Sequence, residues 1–269
     1  MAAEIERGLV KSSYGYLHYR AAGQGQPIVL LHINQQSSAL YLEMIEALAP
    51  HMRPIAIDYP SHGMSDHIAQ QPAIADYARA VIEILDALGI RQTMVLGEAT
   101  GAGVAVELAG SYPDRVTKAV LVNCPFIEET PEQVLAPFKS DFRPSDPTGF
   151  PALRSIAFML EKDPEHAPLV PTQSWMDRMN RAQMEVGRDR WQALTALARF
   201  NMDAALRRVA CPTLLMIGEQ FYFRHKIPEI EKRVHDLRVE ILPNARFNAG
   251  WERATEIAAK AVAFAAQNP

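Results

Sequence analysis

"VLGEATGAGVA", residues 95–105, decides how this chain is read. Val95 and Leu96 end an apolar run that enters a Gly-x-Ala-x-Gly turn, and small residues then open a helix. Gly97 and Gly101 let a backbone reverse sharply from strand to helix, and Ala102 keeps that helix close to the sheet. A turn of this build holds its central side chain proud of the surface, where a nucleophile is useful. The centre here is Ala99, and a methyl group cannot attack anything.

Outward from this turn the chain alternates apolar runs with helical patterns. "PIVLLHI" (27–33), "RPIAIDYP" (53–60), "QTMVLGE" (92–98), "KAVLVNCP" (118–125), "TLLMIGE" (213–219) and "RVEILP" (238–243) read as strands buried on both faces. Between them "SALYLEMIEALAPH", "IADYARAVIEILDALGI" and "TGAGVAVELAGSYPD" have helical spacing. Strict alternation implies right-handed crossovers and a mostly parallel central sheet with helices on both faces. Ahead of it, "LVKSSYGYLHYRAAG" predicts an antiparallel hairpin bending near Gly15.

One interval breaks the rhythm. Residues 126–210 show no strand pattern, only a Pro-rich acidic start and a helical remainder. The expectation is a helical cap at 126–210, inserted after the sixth strand into a core of residues 1–125 and 211–269. Phe138, Phe158, Trp175, Met179 and Trp191 could roof a pocket or pack the cap's own interior.

Composition narrows the partners. The 269 residues are 48% hydrophobic and 22% charged, with a formal net charge of −4, which suits a globular protein and offers no basic patch for nucleic acid. No apolar run reaches membrane-spanning length and the N-terminus lacks a secretory pattern, so the expectation is a cytoplasmic protein with no membrane partner. Cys124 and Cys211 make no disulfide framework, and no cluster has metal-ligand spacing. No cofactor or metal is expected, only a small-molecule ligand on a monomer or homodimer.

The order of elements resembles the α/β-hydrolase fold across essentially the whole chain. "LLHINQQSS" is similar to that family's His-Gly loop, "AIDYPSHGMSD" to the stretch after its fourth strand, "LGEATGAGVA" to its nucleophile elbow, and "CPTLLMIGE" to the strand leading to its catalytic acid. The resemblance implies an oxyanion hole from the N–H groups of Thr100 and Asn34, with His32, Ile33 and Gln35 along the pocket. It assigns His32, Asp58, His62 and Ser65 to loop organisation. It also puts the nucleophile at Ala99, the acid at Phe221 beside Gln220, and the base at Arg246, Phe247 or Asn248, depending on one gap. A Ser-His-Asp triad is therefore missing all its members, and the sequence reads as a degenerate triad. His225 is a candidate displaced base or a solvent-exposed loop residue.

Two charged residues remain as candidates for chemistry. Glu98 is a poorly solvated carboxylate whose pKa should rise toward proton-transfer range, or a structural Glu bonded to backbone or to His32. "GEATGA" is similar to the elbow of plant hydroxynitrile lyases of this fold. Arg246 could grip a ligand carboxylate, pair with Glu98, or point to solvent. Tyr222 and Tyr41 could donate from the pocket wall or pack it, and Trp175, Phe247 and Asn248 complete the expected lining. The leading expectation is non-hydrolytic acid–base chemistry of the lyase, decarboxylase or isomerase kind on a carbonyl or carboxylate compound. The alternatives are an ester or C–C hydrolase, with its serine replaced by engineering or its triad displaced, and a non-catalytic ligand binder.

Overall fold

The apolar strands are buried on both faces because helices cover both. A computed structural model describes residues 3–138, 155–162, 164 and 167–267. In β3 (Pro27–Leu31) Ile28 and Leu30 enter one core while Val29 and Leu31 enter the other. β5 (Thr93–Glu98) repeats the split, with Met94 and Leu96 on the first side and Val95 on the second. The first core is closed by α1 (Leu42–Leu48) and α11 (Ala254–Ala265), the second by α2 (Ile74–Ala87) and α3 (Thr100–Ser111).

β1 (Glu6–Ser12) and β2 (Gly15–Ala21) form the expected hairpin, and β2 pairs antiparallel with β4 (Arg53–Ile57). The remaining pairs are parallel, through β6 (Val116–Val122), β7 (Thr213–Gly218) and β8 (Leu237–Leu242), in the order β1-β2-β4-β3-β5-β6-β7-β8. The chain runs outward from β3 to β4, then returns to the other side of β3 as β5. That reversal makes the carboxyl ends of β3 and β5 the topological switch point, the place where open α/β sheets form the crevice that takes their ligands.

Between β6 and β7 lie α4 (Pro131–Leu135), α5 (Ile156–Lys162), α6 (Gln173–Val186), α7 (Gln192–Ala198) and α8 (Met202–Leu206). They do not behave as one unit. Met159, Ala167, Trp175, Met176 and Met179 form a small core of their own, against which Trp251 packs. Ala193, Ala196, Leu197, Met202, Ala205 and Leu206 instead join the α2 and α3 core, so α7 and α8 pack with the main body. Trp175 and Met179 thus pack the insert's own interior, and Trp191 is buried as well. The side chains of Phe138 and Phe158 lie outside the described residues.

Arg178 on α6 ties the insert to the sheet domain. Its guanidinium meets both carboxylate oxygens of Glu43 at 2.9 and 3.0 Å, donates to the Ala39 carbonyl at 2.9 Å, and lies 4.2 Å from the Trp251 ring centroid. Among the described residues no helix is long and apolar enough to cross a membrane.

Candidate active site

β5 delivers the turn. Ala99 sits at φ 48° and ψ −108°, left-handed territory that costs a residue with a Cβ. Its carbonyl accepts from Ala102 and Gly103 at 3.0 and 3.2 Å, and its N–H donates to Val122 at 3.0 Å. The flanking glycines are steric necessities. A Cβ on Gly97 would stand 2.1 Å from the Gly101 carbonyl oxygen, and one on Gly101 would stand 1.9 Å from that of Leu31. The expected sharp elbow is therefore present in geometry. Thr100 opens α3, so its N–H has no acceptor one helical turn back.

The loop after β3 faces this turn. His32 holds the carbonyl of Ile33 through Nδ1 at 2.8 Å, and the N–H of Gln36 donates to the same carbonyl at 3.3 Å. Gln35 is buried in the left-handed region at φ 59°. Asn34 Oδ1 accepts the N–H of Leu194 at 3.2 Å, and Gln36 Nε2 meets the sulfur of Met179, so the loop is stitched to the helices above it. Ile33 and Trp175 are both buried. Behind the loop, Asp58 accepts from Ser38 N–H at 2.5 Å and Met64 N–H at 2.9 Å, and faces His18 at 2.8 Å. Ser65 donates to the Asp58 carbonyl at 2.8 Å.

Glu98 does not open onto the crevice. Strand alternation sends it to the same face as Met94 and Leu96, toward α1 and α11. It is fully buried, and Oε2 accepts the N–H of Gly250 at 3.1 Å in α10 (Ala249–Glu252). A Cβ at Gly250 would stand 2.3 Å from that oxygen, so a larger residue there would push the carboxylate aside. Burial pushes the carboxyl up to about 8, against the pull of the Gly250 and Ala249 N–H groups and of the Asn123 amide. Its structural partner is backbone, not His32. Tyr41 likewise leaves the wall, fully buried with its hydroxyl donating to Leu31 at 2.9 Å.

Arg246 does not pair with Glu98 among the described residues. It is half-buried, its Nη2 lies 3.4 Å from the Pro168 carbonyl, and its buried Nε has no partner. Phe221, just past β7, is buried with its ring centroid 6.3 Å from that of Phe247. Tyr222, half-exposed, stacks on Phe247 at 6.4 Å and 8°. Asn248 is buried beside them and caps α10 through its carbonyl. His225 is exposed, its Nδ1 held by the Tyr222 carbonyl at 2.9 Å.

Asn123 is the residue that pattern reading missed. It ends β6 at φ 46°, fully buried, and its amide connects three loops. Nδ2 donates to the Arg246 carbonyl at 2.7 Å, and Oδ1 accepts the Gly218 N–H at 2.9 Å. The available signal was an Asn directly after an apolar strand, since Asn tolerates the left-handed region better than most residues.

With this geometry in place, residues 26–253 match the family described as alpha/beta hydrolase fold. The chain belongs to the alpha/beta hydrolase fold family. Haloalkane dehalogenase 2 of Mycobacterium tuberculosis is 31% identical over 254 residues, covering 87% of this chain and 86% of that protein. A protein of Mycobacterium phage D29, provisionally named a non-heme haloperoxidase, is 37% identical over 102 residues, or 38% of this chain and 37% of that one. A solved hydrolase from Pseudomonas aeruginosa superposes with a TM-score of 0.81 at 21% identity, covering 97% of this chain and 99% of that chain.

Proposed function

We propose that this alpha/beta hydrolase binds a small, largely apolar carbonyl or carboxylate compound above Ala99, with the α4–α6 region acting as its cap, and forms no acyl-enzyme. The observation that carries the reading is the Phe221–Phe247 ring pair, 6.3 Å apart, beside an alanine at the centre of the elbow. A serine nucleophile needs a base within hydrogen-bond reach and a group that orients the base. Here the triad is degenerate at each of those roles. What remains is backbone: the N–H of Thr100 at the start of α3, and that of Asn34, suited to a developing oxyanion.

Family membership and the dehalogenase relative favour hydrolysis over the lyase, decarboxylase or isomerase reading. The burial of Glu98 points the same way, because a carboxyl sealed beneath Gly250 does not reach a ligand above Ala99. Hydrolysis in this chain would therefore use water as the attacking group, not residue 99. A second reading, ligand binding without turnover, is favoured by the same aromatic pair.

One set of measurements separates these. A fluorophosphonate probe is expected to leave the protein unlabelled, and a labelled serine would reveal a displaced triad. Thermal shift against esters, lactones, haloalkanes and keto acids should identify a binding class. Turnover of an ester without labelling supports water attack, whereas turnover of a β-keto acid alone restores the lyase reading. Stable binding with no turnover establishes the binding reading.

A further inference from the structure

Four aromatic side chains meet where His32, at the start of the 32–36 loop, turns back against Tyr59, His62 and Tyr77. His32, Tyr59, His62 and Tyr77 are all fully buried. Their ring centroids lie 4.2 Å (His32–Tyr59), 5.3 Å (His32–His62), 5.9 Å (Tyr59–His62), 4.9 Å (Tyr59–Tyr77) and 6.2 Å (His62–Tyr77) apart. Within this one cluster, His32 Nε2, His62 Nε2 and both tyrosine hydroxyls are buried and have no partner among the described residues.

The polarity of each orphan follows from its neighbours. His32 Nδ1 faces the Ile33 carbonyl at 2.8 Å, and His62 Nδ1 faces the Pro60 carbonyl at 3.0 Å. A carbonyl only accepts, so both Nδ1 atoms carry the proton. Burial holds both imidazoles neutral, with His32 pushed down to about 3 by burial and by neighbouring His62. Each Nε2 is consequently a bare acceptor, and each hydroxyl is a donor looking for one. The cluster offers two donors and two acceptors with no net charge.

We infer that the His32–Tyr59–His62–Tyr77 cluster is an internal hydration site, in which ordered water accepts from the tyrosine hydroxyls and donates to the two Nε2 atoms. Buried polar groups in folded proteins find a partner, and a buried water typically makes about three hydrogen bonds. An anion is a poor fit because two of the four atoms are acceptors. A metal cation would have to displace hydroxyl protons, and the carboxylates that act on the cluster are engaged elsewhere, Asp58 with Ser38, Met64 and His18, Asp189 with His67, and Asp76 with Ala73 and Tyr14. The site has a structural consequence. His32 immediately precedes Ile33 and Asn34, so water that fixes its imidazole also helps fix the loop facing Ala99. The inference stands whatever binds above Ala99.

Crystallography of the wild-type protein at a resolution that shows ordered solvent tests it directly. The expected result is a solvent peak about 2.7–3.2 Å from at least one tyrosine hydroxyl and one Nε2. Tyr77→Phe removes a donor at the rim and should weaken or abolish that peak while leaving the fold intact. ¹⁵N spectra should show both imidazoles as neutral Nδ1–H tautomers. Direct Tyr–His hydrogen bonds with no solvent between them would overturn the inference, as would a larger molecule in the cluster or an Nε2–H tautomer at both histidines. If Tyr77→Phe does not fold, the wild-type density and spectra decide alone.

Discussion

Phe247 and Phe221 hold their rings 6.3 Å apart at the carboxyl ends of β8 and β7. Two apolar rings at that place can neither take a proton nor orient a group that does. Asn123, at the end of the neighbouring β6, uses its amide to hold the backbone of both loops, through Gly218 and Arg246. The arrangement is a packed junction.

From it follows the first prediction, that Ala99→Ser alone creates no appreciable esterase. The hydroxyl would sit in the sharp turn at φ 48° but stay protonated near neutral pH for want of a base. Hydrolysis of p-nitrophenyl acetate should remain at the level of the parent protein. Turnover clearly above it would expose a base elsewhere, and His225→Ala in the same background would show whether His225 is responsible.

The glycines of the elbow give a stability prediction. Gly101→Ala puts a methyl group 1.9 Å from the backbone carbonyl of Leu31, an atom that cannot swing aside. The variant should lose about 3 kcal/mol or more, toward the upper end of overpacking penalties. Urea unfolding with an unchanged m-value measures this. A loss below about 0.5 kcal/mol, the scale of neutral surface changes, would mean that α3 stands further from β3 than described.

These elements explain what the sequence could and could not disclose. β3 and β5 are legible because both faces are buried, which leaves a continuous apolar run bounded by polar turns. The elbow is legible because Gly97 and Gly101, four residues apart, crowd each other inside one short motif. The direction of Glu98 is also legible, since Met94, Leu96 and Glu98 alternate onto one face, and of its two readings the structural one, bonded to backbone, is the one found. Arg246 was not legible. Its partner is the carbonyl of Pro168, far away in the chain and invisible to any local pattern. The split of the 126–210 interval was hidden for a related reason. α6 and α7 share helical periodicity, and only packing shows that α6 joins Met159 and Trp251 while α7 joins the core of α2 and α3.

Arg178 should act as the fastening of α6. Its fork on Glu43 is partly exposed, which discounts the ion pair, while the stacking on Trp251 and the bond to Ala39 add to it. Arg178→Ala should cost about 1–2 kcal/mol locally, so that amide exchange in α6 accelerates by roughly tenfold while β5 stays protected. Arg178→Lys should recover only part of that protection, because an ammonium lacks the planar fork. Equal acceleration in α6 and β5 would instead mean that the insert opens only with global unfolding.

The last prediction turns on the sign of the Glu98 titration. Burial raises its carboxyl from 4.5 to about 8 in the folded chain, so the folded state keeps a proton that the unfolded state releases. Between those two values the unfolded state binds fewer protons, and stability must fall as pH rises. The slope approaches about 1.4 kcal/mol per pH unit in the middle of that window, an order-of-magnitude figure for so buried a group. Below about 4.5 the contribution is fully present, and above about 8 it is lost and the slope flattens. Glu98→Gln keeps the size and the acceptor for the Gly250 N–H but cannot ionise. The variant should therefore resemble the wild type near pH 5 and exceed it in stability near pH 8, with a flatter profile between. Urea denaturation across pH 5–9 measures both curves. Parallel curves would show that Glu98 is ionised in the folded protein, and that a counter-charge or solvent reaches it beneath Gly250.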